Sequence, residues 1–149
     1  MKMTDTLLMK LNEIQPSQLF ISSEKLSEIM KAFDQAKPDT LEPIPVKKLG
    51  NEVVFTDGHT RALAAFLHGL GEARVFWDED ELDWEAYAIC VEWCKKEGIR
   101  TVGGLKDWVV SPEEYTALWL DRCGRMHRYS HAKRKRATSK STKAKTDTR

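Results

Sequence analysis

No window of the 149 residues approaches the ~18 consecutive apolar residues that cross a bilayer. The first sixteen, MKMTDTLLMKLNEIQP, have neither the sustained apolar stretch nor the small-residue cleavage site of an export signal. These absences argue against a spanning segment and a membrane partner, and the expected location is the cytoplasm. Cysteine is scarce: Cys90, Cys94 and Cys123 are an odd number without a Cys-x-x-Cys pair, a pattern unlike a disulfide framework or a zinc ribbon. Cys90 and Cys94, four apart, share one helix face and read as small buried hydrophobes rather than metal ligands. No internal repeat is visible.

Hydrophobic residues make up 41% and charged residues 32%, enough apolar material for one core in a chain of this length. The net charge of +1 conceals an asymmetry. Residues 124–149 hold ten basic residues and one acidic, which leaves fourteen basic and twenty-two acidic residues in 1–123. The segment GRMHRYSHAKRKRATSKSTKAKTDTR has almost no large aliphatic side chains to offset the entropy of ordering. The division expected is an acidic folded body, 1–123, and a disordered basic tail, 124–149, with Lys133-Arg134-Lys135-Arg136 available for non-specific contact with nucleic-acid phosphates.

Along the body, residues 18–21 read as a strand, and Ser22 or Ser23 opens a helix to about Gln35 with a stripe of Leu26, Ile29, Met30 and Phe33. Residues 44–49 and 52–55 flank Gly50-Asn51 as a hairpin. A helix over 60–68 is stopped by Gly69 and Gly71, and a strand over 73–77 follows. The acidic run from Asp78 leads into a helix of about 81–97. Ser111-Pro112-Glu113-Glu114 forms a capping box for a last helix, with Gly124 as its stop. The fold class this spells is α+β, a small mixed sheet packed with helices.

Chemistry concentrates in Val53-Val54-Phe55-Thr56-Asp57-Gly58-His59-Thr60-Arg61-Ala62. A loop that leaves a strand and enters a helix presents unpaired N–H groups at the positive end of the helix dipole. Gly58 lets a ligand approach the backbone, while His59, Thr60 and Arg61 add an imidazole, a hydroxyl and a guanidinium fork. The set suits phosphates. The plainer reading has Asp57 as a helix cap, Arg61 paired with an acid and His59 on the surface.

The order QLFISSEKL, a helix, then PIPVKKLGNEVVFTDGHTRALAAFLHGLGEARVFW resembles the ParB/sulfiredoxin superfamily domain over roughly residues 14–123. Within it, the D-G-H-T-R loop is most similar to that of the ADP-dependent free serine kinases. The G-E-R-R-x-R-A motif of ParB proteins is matched at Gly58, Arg61 and Ala64 but not at His59, Thr60 or Leu63, and a following helix-turn-helix domain is not expected. The cysteine that sulfiredoxins need falls on Gly58 or His59. The kinase resemblance implies transfer of the β-phosphoryl group of ADP, with Mg²⁺, to the hydroxyl of free L-serine or a similar small acceptor, giving AMP and O-phosphoserine. It implies Glu24 as general base, Asp57 as a second catalytic group that orients serine or holds Mg²⁺, and Gly58, His59, Thr60 and Arg61 on the phosphates. Trp77 and Trp84 are candidates to line the acceptor pocket, with packing in the core as their other reading. Members of that branch are commonly longer at the C-terminal side, and a homodimer is one way for a shorter chain to close its site. The competing expectation is a nucleotide-sensing regulator without turnover, whose basic tail contacts nucleic acid.

Overall fold

The computed structural model describes residues 5–33, 37 and 41–128. It is an α+β fold. The strands are β1 (Leu7–Lys10), β2 (Ile14–Gln15), β3 (Ile21–Ser22), β4 (Ile44–Leu49), β5 (Glu52–Phe55), β6 (Glu72–Trp77) and β7 (Val109–Val110). The helices are α1 (Ser23–Ala32), α2 (His59–Leu67), α3 (Trp84–Lys96) and α4 (Pro112–Tyr115), the last continuing through a π turn, Thr116–Leu120, into helical residues 121–128. Five strands make one mixed sheet in the order β1-β6-β4-β5-β2, and β3 pairs with β7 in a separate parallel ribbon.

β4 and β5 pair antiparallel with Leu49 opposite Glu52, so Gly50 and Asn51 form the two-residue turn expected. Gly50 supplies the left-handed φ of +66° that such a turn requires. β6 lies on the other side of β4 and runs parallel to it, Ile44 opposite Val75. The outer strands come from one stretch of chain: β1 pairs antiparallel with β6, and β2 parallel with β5. Only the 3₁₀ turn Leu11–Glu13 separates those two edges. Four Cα steps reach at most ~14 Å, whereas the edges of a flat five-stranded sheet stand about 19 Å apart. The sheet must therefore curl until its edges nearly meet.

The core gathers Ile14, Ile44, Val46, Phe55 and Val75 from the sheet with Ala62, Leu63 and Ala65 of α2, and extends to Cys94, Ile99, Val102 and Leu105. α1 lies against this core through Leu26, Ile29 and the buried Phe33. The helix expected to reach Gln35 stops at Ala32, because Phe33 turns to extended backbone to bury its ring.

Several elements differ from the sequence reading. β1 and β2 were not expected, the strand anticipated at 18–21 is reduced to Ile21–Ser22, and the Gly103-Gly104 break is a 3₁₀ segment, Val102–Trp108. Gly103 is needed there: a Cβ would stand 2.8 Å from Phe66 Cζ. The largest difference concerns Gly124. It does not end the last helix, which runs on to 128 and buries Met126 to 8% exposure. Residues 124–128 thus pack with the body rather than belonging to a disordered tail. Residues 129–149 lie outside those described.

Candidate functional site

The corner between β5 and α2 is pinned from three directions. Thr56 donates its N–H to Pro45 O at 3.1 Å and its hydroxyl to Asp78 Oδ2 at 2.8 Å, while its carbonyl accepts the Tyr87 hydroxyl at 2.8 Å. Asp78 in turn donates its N–H to Val46 O at 2.8 Å. Strands β4, β5 and β6 and helix α3 therefore fix the point where the chain turns into α2. Beyond Thr56, Asp57 Oδ1 accepts the Gly58 N–H at 2.8 Å. Gly58 takes the left-handed conformation, φ 72° and ψ 22°, and no side chain caps α2. The N–H groups of the first turn are left for a ligand or solvent.

Gly58 is also the residue the packing requires. A Cβ there would lie 2.8 Å from Arg61 Nη2 and 3.0 Å from Ile44 Cγ2. Arg61 folds back beside it and donates from Nη1 to Pro43 O at 2.7 Å, with the Glu42 carboxylate at 3.8 Å. Asp57 and Arg61 line a cavity of about 770 Å³ together with Pro43, Pro45, Arg74 and Phe76; Asp78 and Asp80 lie on the same wall. Arg74 donates from Nη2 to Leu41 O at 2.9 Å. The site thus offers a helix N-terminus with two guanidinium groups, bordered by carboxylates.

His59 lies deeper than the other residues of the loop. It is 2% exposed, and its Nε2 accepts the Ser17 N–H at 2.8 Å, while the Ser17 hydroxyl donates to Phe55 O at 2.7 Å. Its ring meets Phe55 edge-on, centroids 5.5 Å apart. Burial drives its pKa from 6.5 down to about 4, and the Asp57 charge opposes that only in part. The imidazole is therefore neutral. Because Nε2 accepts, Nδ1 carries the proton, and Nδ1 has no partner among the described residues. His59 also borders a second cavity of about 290 Å³, shared with Ser17, Gln18, Tyr87, Trp119 and Cys123. Burial, then Asp57 and Asp78, raise the Tyr87 hydroxyl above its ordinary pKa.

The remaining candidates stand apart. Thr60 is half-buried in the first turn of α2 and borders neither cavity. Glu24 is exposed on the first turn of α1 and borders neither cavity. Trp77 is 39% exposed, and Trp84 packs on Tyr87 at 5.4 Å beneath the Lys47 ammonium; neither borders a cavity beside the corner. Asp57 Oδ1 is engaged by Gly58, and Asp78 is engaged at Oδ2 by Thr56 and at Oδ1 by the Asp80 N–H, 2.9 Å away. Among the described residues no three His, Cys, Asp or Glu gather as metal ligands.

Sequence reasoning missed Arg74, Phe76 and Ser17. The first two carry a readable signal, since Ala73 and Val75 alternate with them along β6 and are buried, which sends Arg74 and Phe76 to the opposite face. Ser17 carries none, because it meets His59 across 42 positions of sequence.

No protein-family model matches the chain, and no curated protein does. Among solved structures, it is similar to protein Atu1540 from Agrobacterium tumefaciens, with 13% identity and a TM-score of 0.48 over 74% of this chain and 64% of that one. It is also similar to the C-terminally truncated chromosome-partitioning protein ParB from Caulobacter crescentus complexed with CTP-gamma-S, with 17% identity and a TM-score of 0.41 over 62% of this chain. The chain spans 52% of that ParB.

Proposed function

We propose that the chain binds the phosphates of a nucleotide at the N-terminus of α2. The observation that carries this reading is the uncapped first turn behind a left-handed Gly58, flanked by Asp57 and Arg61 in a cavity that Arg74 also borders. Free N–H groups, a helix dipole and guanidinium forks converge on what a diphosphate needs. The finer proposal is that the bound nucleotide is ADP and that its β-phosphoryl group passes to the hydroxyl of a small acceptor such as free L-serine. The D-G-H-T-R likeness supports it. In that reaction the protein's task is positioning and charge neutralisation, with Glu24 taking the hydroxyl proton and Asp57 orienting the acceptor. Any Mg²⁺ arrives on the nucleotide.

A second reading, binding without turnover, is favoured by the placement of Glu24 outside both cavities. One experiment addresses both. ADP and CTP are titrated calorimetrically into the full chain and into Gly58→Ala, and the chain is then incubated with ADP, Mg²⁺ and serine while AMP and phosphoserine are followed. Gly58→Ala is expected to weaken nucleotide binding more than ~tenfold, since its Cβ pushes on Arg61 and closes the approach to the backbone. AMP formation that Glu24→Gln abolishes supports transfer; binding without AMP supports the sensor. Absence of any nucleotide binding at millimolar concentration overturns both.

A further inference from the structure

We propose that Cys90 and Cys123 are an oxidation site, a dithiol that a hydroperoxide converts into an intramolecular disulfide tying the C-terminal helical segment to α3.

The two thiols come from opposite ends of an interhelical contact. Trp93 of α3 meets Trp119 edge-on at 5.9 Å, and Arg122 lies over the Trp93 ring at 4.6 Å. Stepping one turn forward from Trp119 reaches Cys123, and stepping one turn back from Trp93 reaches Cys90. One further turn on each side reaches His127 and Ala86. All of Ala86, Cys90, Trp119, Cys123 and His127 border the same 290 Å³ cavity, so the two helices run antiparallel with Cys90 and Cys123 as facing rungs. The pairing of the two thiols pulls their titrations apart, Cys90 upward and Cys123 downward. Cys94, by contrast, is fully buried and lies one turn along α3 from Cys90. Joining those two would need both Cβ vectors to leave the helical direction.

The pair is also differentiated chemically. Cys123 is half-buried, and the hydrogen bond from Cys90, with Arg122 beside it, holds its thiol below the ordinary value. Cys90, 8% exposed, is raised by donating that bond and by burial, and burial pushes Cys94 up to about 12. Cys123 is thus the thiol to react first and Cys90 the one to resolve it. The Cys123 thiolate attacks the peroxide O–O bond, giving a sulfenic acid and releasing water from a hydrogen peroxide donor. The Cys90 sulfur then displaces the hydroxyl, which leaves with a proton as a second water. Two thiols are oxidised and one peroxide is reduced.

The test treats the full native chain with hydrogen peroxide, quenches, alkylates remaining thiols under denaturing conditions and maps the peptides. Two of the three thiols are expected to be lost, with the protein mass about 2 Da lower, a Cys90–Cys123 cross-linked peptide and full reversal by dithiothreitol. Cys94→Ala should retain the cross-link, and Cys123→Ser should abolish it without changing the far-ultraviolet spectrum. A Cys90–Cys94 bridge, an intermolecular disulfide, or a Cys123 sulfinate with Cys90 still free overturns the proposal. Should Cys94→Ala fail to fold, the peptide map of the unsubstituted chain decides alone.

Discussion

Two halves of the same short loop face different worlds. Asp57 and Arg61 line a wide charged cavity, whereas His59, between them in the chain, is buried on the other side against Ser17 and Phe55. A contiguous motif in sequence is therefore not the contiguous wall of one cavity. The turn into α2 rotates successive side chains by about 100°, so one residue of the motif inevitably points back at the sheet. Here that residue locks the segment before α1 to the corner, and the rigidity of the cavity edge comes from the half that faces away from it.

The sharpest way to break that distinction is His59→Ala. It leaves the Ser17 N–H unpaired in the interior and a hole beside Phe55, and the expected loss of stability is about 4 kcal/mol by urea denaturation. A loss below ~1 kcal/mol would return His59 to the ligand side of the comparison.

The pH dependence comes next. The folded pKa of His59, about 4, lies below the unfolded 6.5, so as pH falls the unfolded chain takes the proton first. Its contribution is complete above pH 6.5 and is lost progressively down to about 4, amounting to roughly 3 kcal/mol. The difference in urea stability between the parent chain and His59→Gln, measured across that range, should shrink by this amount. A constant difference would mean that His59 is not buried neutral.

The smallest effect on stability and the largest on binding is expected for Arg61→Ala. It removes one hydrogen bond to Pro43 O at a half-buried position, costing about 1 kcal/mol, and weakens ADP affinity more than ~tenfold. Unchanged affinity by calorimetry would move the phosphate site away from this corner.

Much of the fold was legible where local chemistry decides it. The β4–β5 turn, the start of α1 and the Ser111 capping box, with its Glu114 N–H bond of 3.1 Å, stand where the residues place them. β1 was illegible because Leu7–Lys10 becomes a strand only by pairing with β6, sixty and more residues away. Gly124 misled because a glycine interrupts a helix at a cost of only about 1 kcal/mol, which the burial of Met126 two residues later can offset. At the β5–α2 corner, the loop was read from the sequence but not its division between two cavities. The signal was there: His59, Ala62 and Leu63 follow the spacing of a buried helical stripe, and all three are buried.

The curl of the sheet has a consequence for the order of assembly. Residues 7–15 supply both outer strands, yet their partners β5 and β6 are made some forty to seventy residues later. The beginning of the chain must wait for the middle, and these long-range pairings raise the contact order of the whole domain. Formation of β1 and β2 is expected to be the final closing step, after the hairpin β4–β5 and α2. Stopped-flow kinetics should show Ile14→Val accelerating unfolding by nearly its full equilibrium effect and leaving the refolding rate unchanged; slowed refolding with an unchanged unfolding rate would mean that β2 forms early.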